Sequence, residues 1–110
     1  MIVCKFGGTS VGDAAAISRA AAIVAGRRAR QPIVVVSALG GTTNELLRVA
    51  EQAAKGQLIG ALRAIEALRD RHLAQCDALL AGDPGAAEIA NELSAMFDEL
   101  ASLAEALNNL

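Results

Sequence analysis

A lysine, two adjacent glycines and two hydroxyl residues lie close together near the start of the sequence. They form the segment Lys5-Phe6-Gly7-Gly8-Thr9-Ser10. Glycine lets a backbone approach phosphate oxygens because no Cβ stands in the way. A transferring phosphoryl group carries spread negative charge, which an ammonium group and backbone N–H donors stabilise. The segment therefore indicates phosphate chemistry, and an ordinary tight turn with an incidental lysine is the alternative.

The segment differs from the two most widespread nucleotide-binding loops. A P-loop has its lysine after the glycines, whereas Lys5 precedes Gly7 and Gly8. Nor does the segment have the G-x-G-x-x-G spacing of a dinucleotide-binding loop. The residues by themselves thus leave both interpretations of the segment open.

A second loop is rich in hydroxyl groups. It reads Ser37-Ala38-Leu39-Gly40-Gly41-Thr42-Thr43-Asn44. Because it contains no titratable base, it fits the binding of a polar substrate through a carboxylate or an amine better than acid–base catalysis. The alternative is a glycine-rich turn in which Thr42 or Thr43 caps the following helix. If both loops follow neighbouring strands, they face one crevice, where ligands bind in open α/β sheets.

Two short apolar runs are typical of strands, and each precedes one of these loops. Residues 2–6 form the first run, and residues 33–36 are four consecutive β-branched residues. A β-branched run without alternation predicts a strand buried on both faces, as in a parallel sheet. The alanine-rich stretch 14–25 predicts the connecting helix, with Thr9 or Ser10 as its N-cap. The order strand, helix, strand, helix predicts a right-handed βαβα unit.

The second half of the sequence is typical of long helices. Apolar residues recur at intervals of three or four from about residue 57 to 80, and again from residue 86 onward. Gly82-Asp83-Pro84-Gly85 interrupts the pattern and predicts a short turn. The sequence therefore predicts an α/β chain, with a βαβα unit of parallel strands over residues 1–56 and a long αα-hairpin over residues 57–110.

Bulk composition limits the possible partners. The 110 residues carry 10 Lys and Arg against 12 Asp and Glu, a net charge of −2, which argues against nucleic acid as a partner. No apolar run approaches the roughly 20 residues that cross a bilayer, so no membrane partner is expected. Cys4 and Cys76 lack the spacing of metal ligands, and two cysteines fit a reducing, cytoplasmic compartment. No metal ligand is expected in the chain.

Two strings of residues resemble the conserved motifs of aspartokinases. The first string is Lys5-Phe6-Gly7-Gly8-Thr9-Ser10-Val11-Gly12. The second string is Val35-Val36-Ser37-Ala38-Leu39-Gly40-Gly41-Thr42-Thr43-Asn44. They occur in the family's order and at its usual separation, whereas the remainder matches the family's variable helical hairpin only in general character. The resemblance implies the amino-acid kinase fold, an α/β/α sandwich around a mainly parallel sheet, of which these residues form the N-terminal part.

The resemblance also implies a reaction. The family transfers the γ-phosphate of ATP, bound with Mg²⁺, to the side-chain carboxylate of L-aspartate, the first step toward lysine, threonine and methionine. The resemblance implies that Lys5 is the catalytic residue, which stabilises the transferring phosphoryl group. The residues implied to bind ATP phosphates are Lys5, Gly7, Gly8, Thr9 and Ser10. Those implied to bind L-aspartate are Ser37 and Thr43.

The resemblance leaves alternatives for the whole protein. Kinases that act on acetylglutamate, glutamate or UMP share an early lysine and a glycine pair, but the two full strings favour aspartate. Aspartokinases have an acidic substrate-binding residue, a catalytic Asp and regulatory domains after the hairpin, so residues 1–110 alone are expected to be inactive. In isolation they are also expected to form a homo-oligomer through exposed helices or a strand edge.

Overall fold

The structure is a computed structural model that describes all residues from 1 to 110. It confirms the predicted α/β class, because the chain contains a two-stranded parallel sheet and four α-helices. The chain forms two compact units, Met1–Gly40 and Gly41–Leu110. The sheet and one helix belong to the first unit, and three helices belong to the second.

The first unit is built from two strands and one helix. Strand β1 spans Ile2–Phe6, and strand β2 spans Pro32–Val36. The strands pair in parallel over their whole length. Helix α1, Ala14–Ala25, connects them and begins and ends at the residues that the alanine-rich stretch predicts. Parallel pairing places the loop after β1 and the loop after β2 at the same edge of the sheet.

Asp13 caps the first turn of α1. Its Oδ1 accepts a hydrogen bond from Ala16 N at 2.9 Å. Aspartate is among the best N-cap residues, and its carboxylate also interacts favourably with the positive end of the helix dipole. The prediction of Thr9 or Ser10 as the cap is wrong, because both lie in a 3₁₀ turn, Gly8–Val11, that precedes the helix. Their hydroxyl groups are therefore not committed to capping α1.

The first unit concentrates positive charge. Residues 1–40 contain five Lys and Arg side chains but a single acidic one, Asp13, so the acidic excess of the chain lies in residues 41–110.

At the end of α1, Arg27 Nη1 donates to Ile23 O at 3.2 Å. A cation at this position complements the negative end of the helix dipole. Two more arginines, Arg28 and Arg30, lie in a second 3₁₀ turn, Arg28–Arg30.

Strand β2 is more exposed than its sequence predicts. Its four β-branched residues are between 43% and 60% exposed. Two strands that are covered by one helix cannot bury both faces of either strand, so the burial that is usual in parallel sheets is not reached here. An apolar groove of about 400 Å³ lies between α1 and the sheet, and Phe6, Val34 and Val36 are among its lining.

The second unit is a bundle of three helices. Helix α2 spans Thr42–Ala54, α3 spans Leu58–Leu80 and α4 spans Ala86–Asn108. Helices α3 and α4 form the predicted hairpin, with a turn at residues 81–85. Packing groups α2 with these two helices, although the sequence places α2 in the preceding βαβα unit. The division of the sequence after residue 56 stays a prediction.

The core of the second unit combines several small side chains with larger apolar ones. Ile65 on α3 is 1% exposed and is the largest fully buried side chain of the chain. Alanines from all three helices belong to the same cluster: Ala53, Ala61, Ala64 and Ala104. Small side chains at these contacts allow the helix axes to approach closely, and Ile65 fills the space between them.

Arg69 links the two long helices of the second unit. Its side chain, which is 14% exposed, donates to Ser94 O at 2.9 Å and to Asp98 Oδ1 at 2.6 Å, both on α4. It also donates to Glu66 Oε1 at 3.2 Å, and its guanidinium carbon lies 5.8 Å from the Phe97 ring centre. The hydrogen bond to Asp98 raises the pKa of Arg69 above its ordinary value. An ion pair between two helices, such as that of Arg69 with Asp98, has no local signal in the sequence.

Candidate phosphate-binding loop

The loop after β1 turns without a positive φ angle. Gly7 has φ −76° and ψ −179°, an extended conformation that any residue adopts. The 3₁₀ turn that follows is closed by Ser10 N, which donates to Gly7 O at 3.0 Å. The N–H groups of Gly8 and Thr9 precede this hydrogen bond and have no acceptor within the turn. Two backbone donors are therefore available at the carboxyl end of β1.

Glycine at positions 7 and 8 is not required by the fold of the chain itself. A Cβ at Gly7 would meet no atom within 4 Å. A Cβ at Gly8 would meet only Ser37 Oγ at 3.9 Å, an ordinary van der Waals distance. Neither glycine has a positive φ. The space beside the two glycines is therefore open to a ligand, and the Ser37 hydroxyl borders it.

Backbone hydrogen bonds join the loop after β2 to the loop after β1. Ser37 N donates to Phe6 O at 3.1 Å, and Gly40 N donates to Gly12 O at 3.3 Å. A Cβ at Gly12 would lie 3.0 Å from Gly8 O, so the close approach at this point favours glycine. The structure thus brings Ser37 beside Gly8, although their motifs are separated by a strand and a helix in the sequence.

Lys5 lies one residue before the end of β1, opposite Val35 in the register of the sheet. Its side chain is exposed and points to the face opposite Phe6, because successive strand residues alternate between faces. The four ion pairs of the chain all lie among residues 45–98. The ammonium group of Lys5 is therefore not neutralised by a carboxylate of the chain.

Thr43 belongs to the second unit, where it is exposed in the first turn of α2. The N-cap of α2 is Gly41, whose φ of 80° is a left-handed conformation that glycine adopts without steric cost. The prediction of Thr42 or Thr43 as the cap is therefore wrong. The joint contact of Ser37 and Thr43 with one substrate stays a prediction.

Three residues that shape this region were not singled out from the sequence. Asp13 had a usable signal, because an aspartate directly before an alanine-rich run is typical of an N-cap. Gly12 had none, since its need for glycine depends on the position of the Gly8 carbonyl. Arg19 on α1 had none either, and it lines a cleft together with Thr9 and Ser10.

Outside this loop, the groups that could do chemistry do not gather into a site. No cluster of three or more His, Cys, Asp or Glu side chains could hold a metal ion. His72 Nδ1 lies 2.7 Å from Leu68 O, and the ring stacks edge-on with Phe97 at 5.1 Å between ring centres. His72 thus has a packing role between α3 and α4. None of the helices combines the length and apolar character that crossing a membrane requires.

Similarity to known proteins identifies the family. The model of the amino acid kinase family matches residues 1–110. Over 53 residues the chain is 49% identical to aspartokinase 2 of Bacillus subtilis (strain 168), and over 51 residues it is 41% identical to the chloroplastic aspartokinase 2 of Arabidopsis thaliana. Each alignment covers 46% of this chain, but only 13% and 9% of the respective relatives. Because the family match extends over the whole chain, this protein belongs to the amino acid kinase family.

Proposed function

We propose that residues 1–110 supply the phosphate-binding loop and part of the acceptor site of an aspartokinase. Such an enzyme transfers the γ-phosphate of ATP to the side-chain carboxylate of L-aspartate and forms 4-phospho-L-aspartate. The observation that carries the proposal is the open space at Gly7 and Gly8, two glycines that the fold does not require. A phosphate group accounts for this space, because phosphate oxygens need a close approach to backbone N–H donors.

The first unit supplies the groups that act on phosphate. The ammonium group of Lys5 stabilises the charge that develops on the transferring phosphoryl group. The N–H groups of Gly8 and Thr9 hold phosphate oxygens, and the Ser10 hydroxyl adds a further donor. The chain offers donors to phosphate and no carboxylate cluster to a metal, so Mg²⁺ belongs to the nucleotide substrate and neutralises phosphate charge when bound.

The hydroxyl groups of the second loop act on the acceptor. Ser37 borders the open space at Gly8, where a hydroxyl can donate to a carboxylate that is about to be phosphorylated. Holding nucleophile and phosphoryl group in line is the main catalytic task of a kinase, because phosphoryl transfer depends on positioning and electrostatic stabilisation.

Other acceptors are the alternative within the same family. Acetylglutamate, glutamate and UMP kinases would use a similar early lysine and glycine pair. Aspartate is favoured because the two relatives are both named aspartokinase and are 49% and 41% identical over about half of this chain.

An acceptor panel tests the proposal. The complete gene product that contains residues 1–110 is incubated with Mg²⁺-ATP and with L-aspartate, L-glutamate, N-acetylglutamate or UMP, and acyl phosphate or UDP is measured. We expect turnover with L-aspartate above all others. A higher kcat/KM for any other acceptor contradicts the proposal. A polypeptide of residues 1–110 is expected to show no turnover, because the catalytic Asp that the resemblance implies is not among these residues. Turnover by this polypeptide would contradict that expectation.

The variant Gly8→Ala tests whether glycine at position 8 is required for phosphate binding and not for folding. We expect thermal stability to be unchanged or slightly raised, because the added methyl group meets only Ser37 Oγ at 3.9 Å and alanine reduces the entropy of the unfolded chain. We expect kcat/KM to fall on the order of 10²-fold, the effect of displacing a reacting phosphate by about 1 Å.

Gly26→Ala is the matched control for Gly8→Ala. Gly26 follows the end of α1 in the same unit, has a negative φ of −69° and leaves a Cβ at ordinary distances of 3.5 and 3.6 Å from backbone oxygens. The Gly26→Ala variant is expected to have the kcat/KM of the wild type. If both variants retain full activity, the open space at Gly8 has no role in binding phosphate. If Gly8→Ala unfolds the protein, the fold itself requires this glycine and the observation that carries the proposal is overturned.

A further inference from the structure

A cleft of about 280 Å³ lies in the first unit beside the phosphate-binding loop. Its polar lining consists of Thr9 and Ser10, from the 3₁₀ turn, and Arg19 from α1. The rest of the lining is apolar and includes Phe6, Ala16 and Ala20. No acidic side chain borders the cleft, so it suits a small anion, and apolar walls strengthen the attraction between that anion and a cation.

Arg19 is the one charged group at this cleft, and its charge is not neutralised within the chain. The ion pairs all lie among residues 45–98, in the second unit. The only carboxylate side chain of the first unit belongs to Asp13, which already accepts a hydrogen bond from Ala16 N. Arg19 therefore adds to the positive field of residues 1–40, which raises the local concentration of anions.

Arg19 and Lys5 approach the loop from opposite sides of the sheet. Phe6 lines the cleft that Arg19 borders, and it points to the face of β1 opposite Lys5. Arg19 thus offers a second cation beside the loop, on the face of the sheet opposite Lys5. The second cation comes with two hydroxyl groups, and a planar guanidinium with its fork of N–H donors matches the oxygens of a phosphate group.

We propose that this cleft binds a phosphate group of the nucleotide, with Arg19 and the hydroxyl groups of Thr9 and Ser10 as its ligands. The proposal rests on the proposed function and deepens it by naming a residue outside both sequence motifs. The volume admits a phosphate group but is below the size usual for a pocket that encloses a whole nucleotide, so the base and ribose lie outside the cleft.

The test is ATP binding by calorimetry in the complete gene product, measured without an acceptor so that it does not depend on which acceptor is used. Arg19→Ala is expected to weaken ATP binding about tenfold or more, the loss that follows removal of a charge-assisted hydrogen bond. Arg19→Lys is expected to retain part of the affinity, since it keeps the charge but not the fork. Thermal stability is expected to stay unchanged, because Arg19 is exposed and belongs to none of the chain's ion pairs.

Arg30→Ala is the matched control, because it removes the same charge from the same unit at an exposed position outside the cleft. The Arg30→Ala variant is expected to bind ATP with an affinity within twofold of the wild type. If Arg19→Ala and Arg30→Ala weaken ATP binding by the same factor, only the general field of the unit acts and the proposal is overturned. If inorganic phosphate binding depends on Arg19 but ATP neither competes with it nor depends on Arg19, the phosphate comes from another source and the nucleotide assignment is overturned. Failure of the wild type to phosphorylate L-aspartate overturns the proposed function alone, since the calorimetric result stands without it.

Discussion

Lys5→Met is expected to lower kcat for L-aspartate phosphorylation by about 10²–10³-fold, the loss seen when one preorganised charge-stabilising donor is removed from a transition state. Lys5 is exposed at the end of β1 and belongs to none of the chain's ion pairs, so its charge is free to act on phosphate. Because the contact strengthens as charge develops, kcat and kcat/KM are expected to fall together while KM for L-aspartate stays close to the wild-type value. Steady-state kinetics with the complete gene product measures the three values.

Lys55→Met is the matched control for this result. Lys55 follows the end of α2, and its Nζ lies 2.7 Å from Glu51 Oε1 with both side chains more than half exposed. Its hydrogen bond and charge lower the pKa of Glu51, but an exposed pair of this kind contributes little to stability. The control is expected to leave kcat unchanged. Equal kcat values for Lys5→Met and the wild type would remove Lys5 from the mechanism and leave the loop as an ordinary turn.

Ile65→Ala is expected to lower the free energy of unfolding of the helical unit by about 2–5 kcal/mol, the range for large-to-small substitutions in a packed core. Ile65 is 1% exposed and belongs to the buried cluster of the bundle, so its truncation leaves a cavity that the packed neighbours fill only in part. Urea unfolding followed by far-UV circular dichroism measures the change, since most of the helical signal comes from α2, α3 and α4.

Ile59→Ala provides the comparison on the same helix. Ile59 is 71% exposed, so its truncation is expected to change stability by less than about 0.5 kcal/mol. A loss of the same size in both variants would mean that Ile65 does not anchor the bundle. The slope of unfolding free energy against urea is expected to be equal in both, because a difference would indicate a change in the unfolded state rather than in packing.

Local sequence signals predicted most elements of this chain. Helix α1 begins and ends at Ala14 and Ala25 as predicted, and the strands and the hairpin lie where the apolar patterns place them. The reason is that helix propensity, β-branching and the turn at residues 82–85 act over a few residues at a time. The two motifs, too, are contiguous strings, so the sequence alone was enough to indicate the family and to single out Lys5 to Ser10 as a candidate phosphate loop.

The cap of α1 had a local signal that the sequence-based prediction missed, whereas the exposure of β2 had none. The capping residue is Asp13 and not Thr9 or Ser10, because a 3₁₀ turn intervenes before α1. The exposure of β2 depends on how many layers cover the sheet, which no run of β-branched residues reports.

The segment Lys5 to Ser10 was identifiable from its sequence as either a phosphate loop or an ordinary turn. Only the folded chain shows that Gly7 and Gly8 are free of steric demands and that Ser37 borders the space they leave. The folded chain also brings Arg19 to the cleft of Thr9 and Ser10. The physical cause of the first juxtaposition is parallel strand pairing, which brings successive loops to one edge of the sheet. The second arises because α1 follows the turn that carries Thr9 and Ser10.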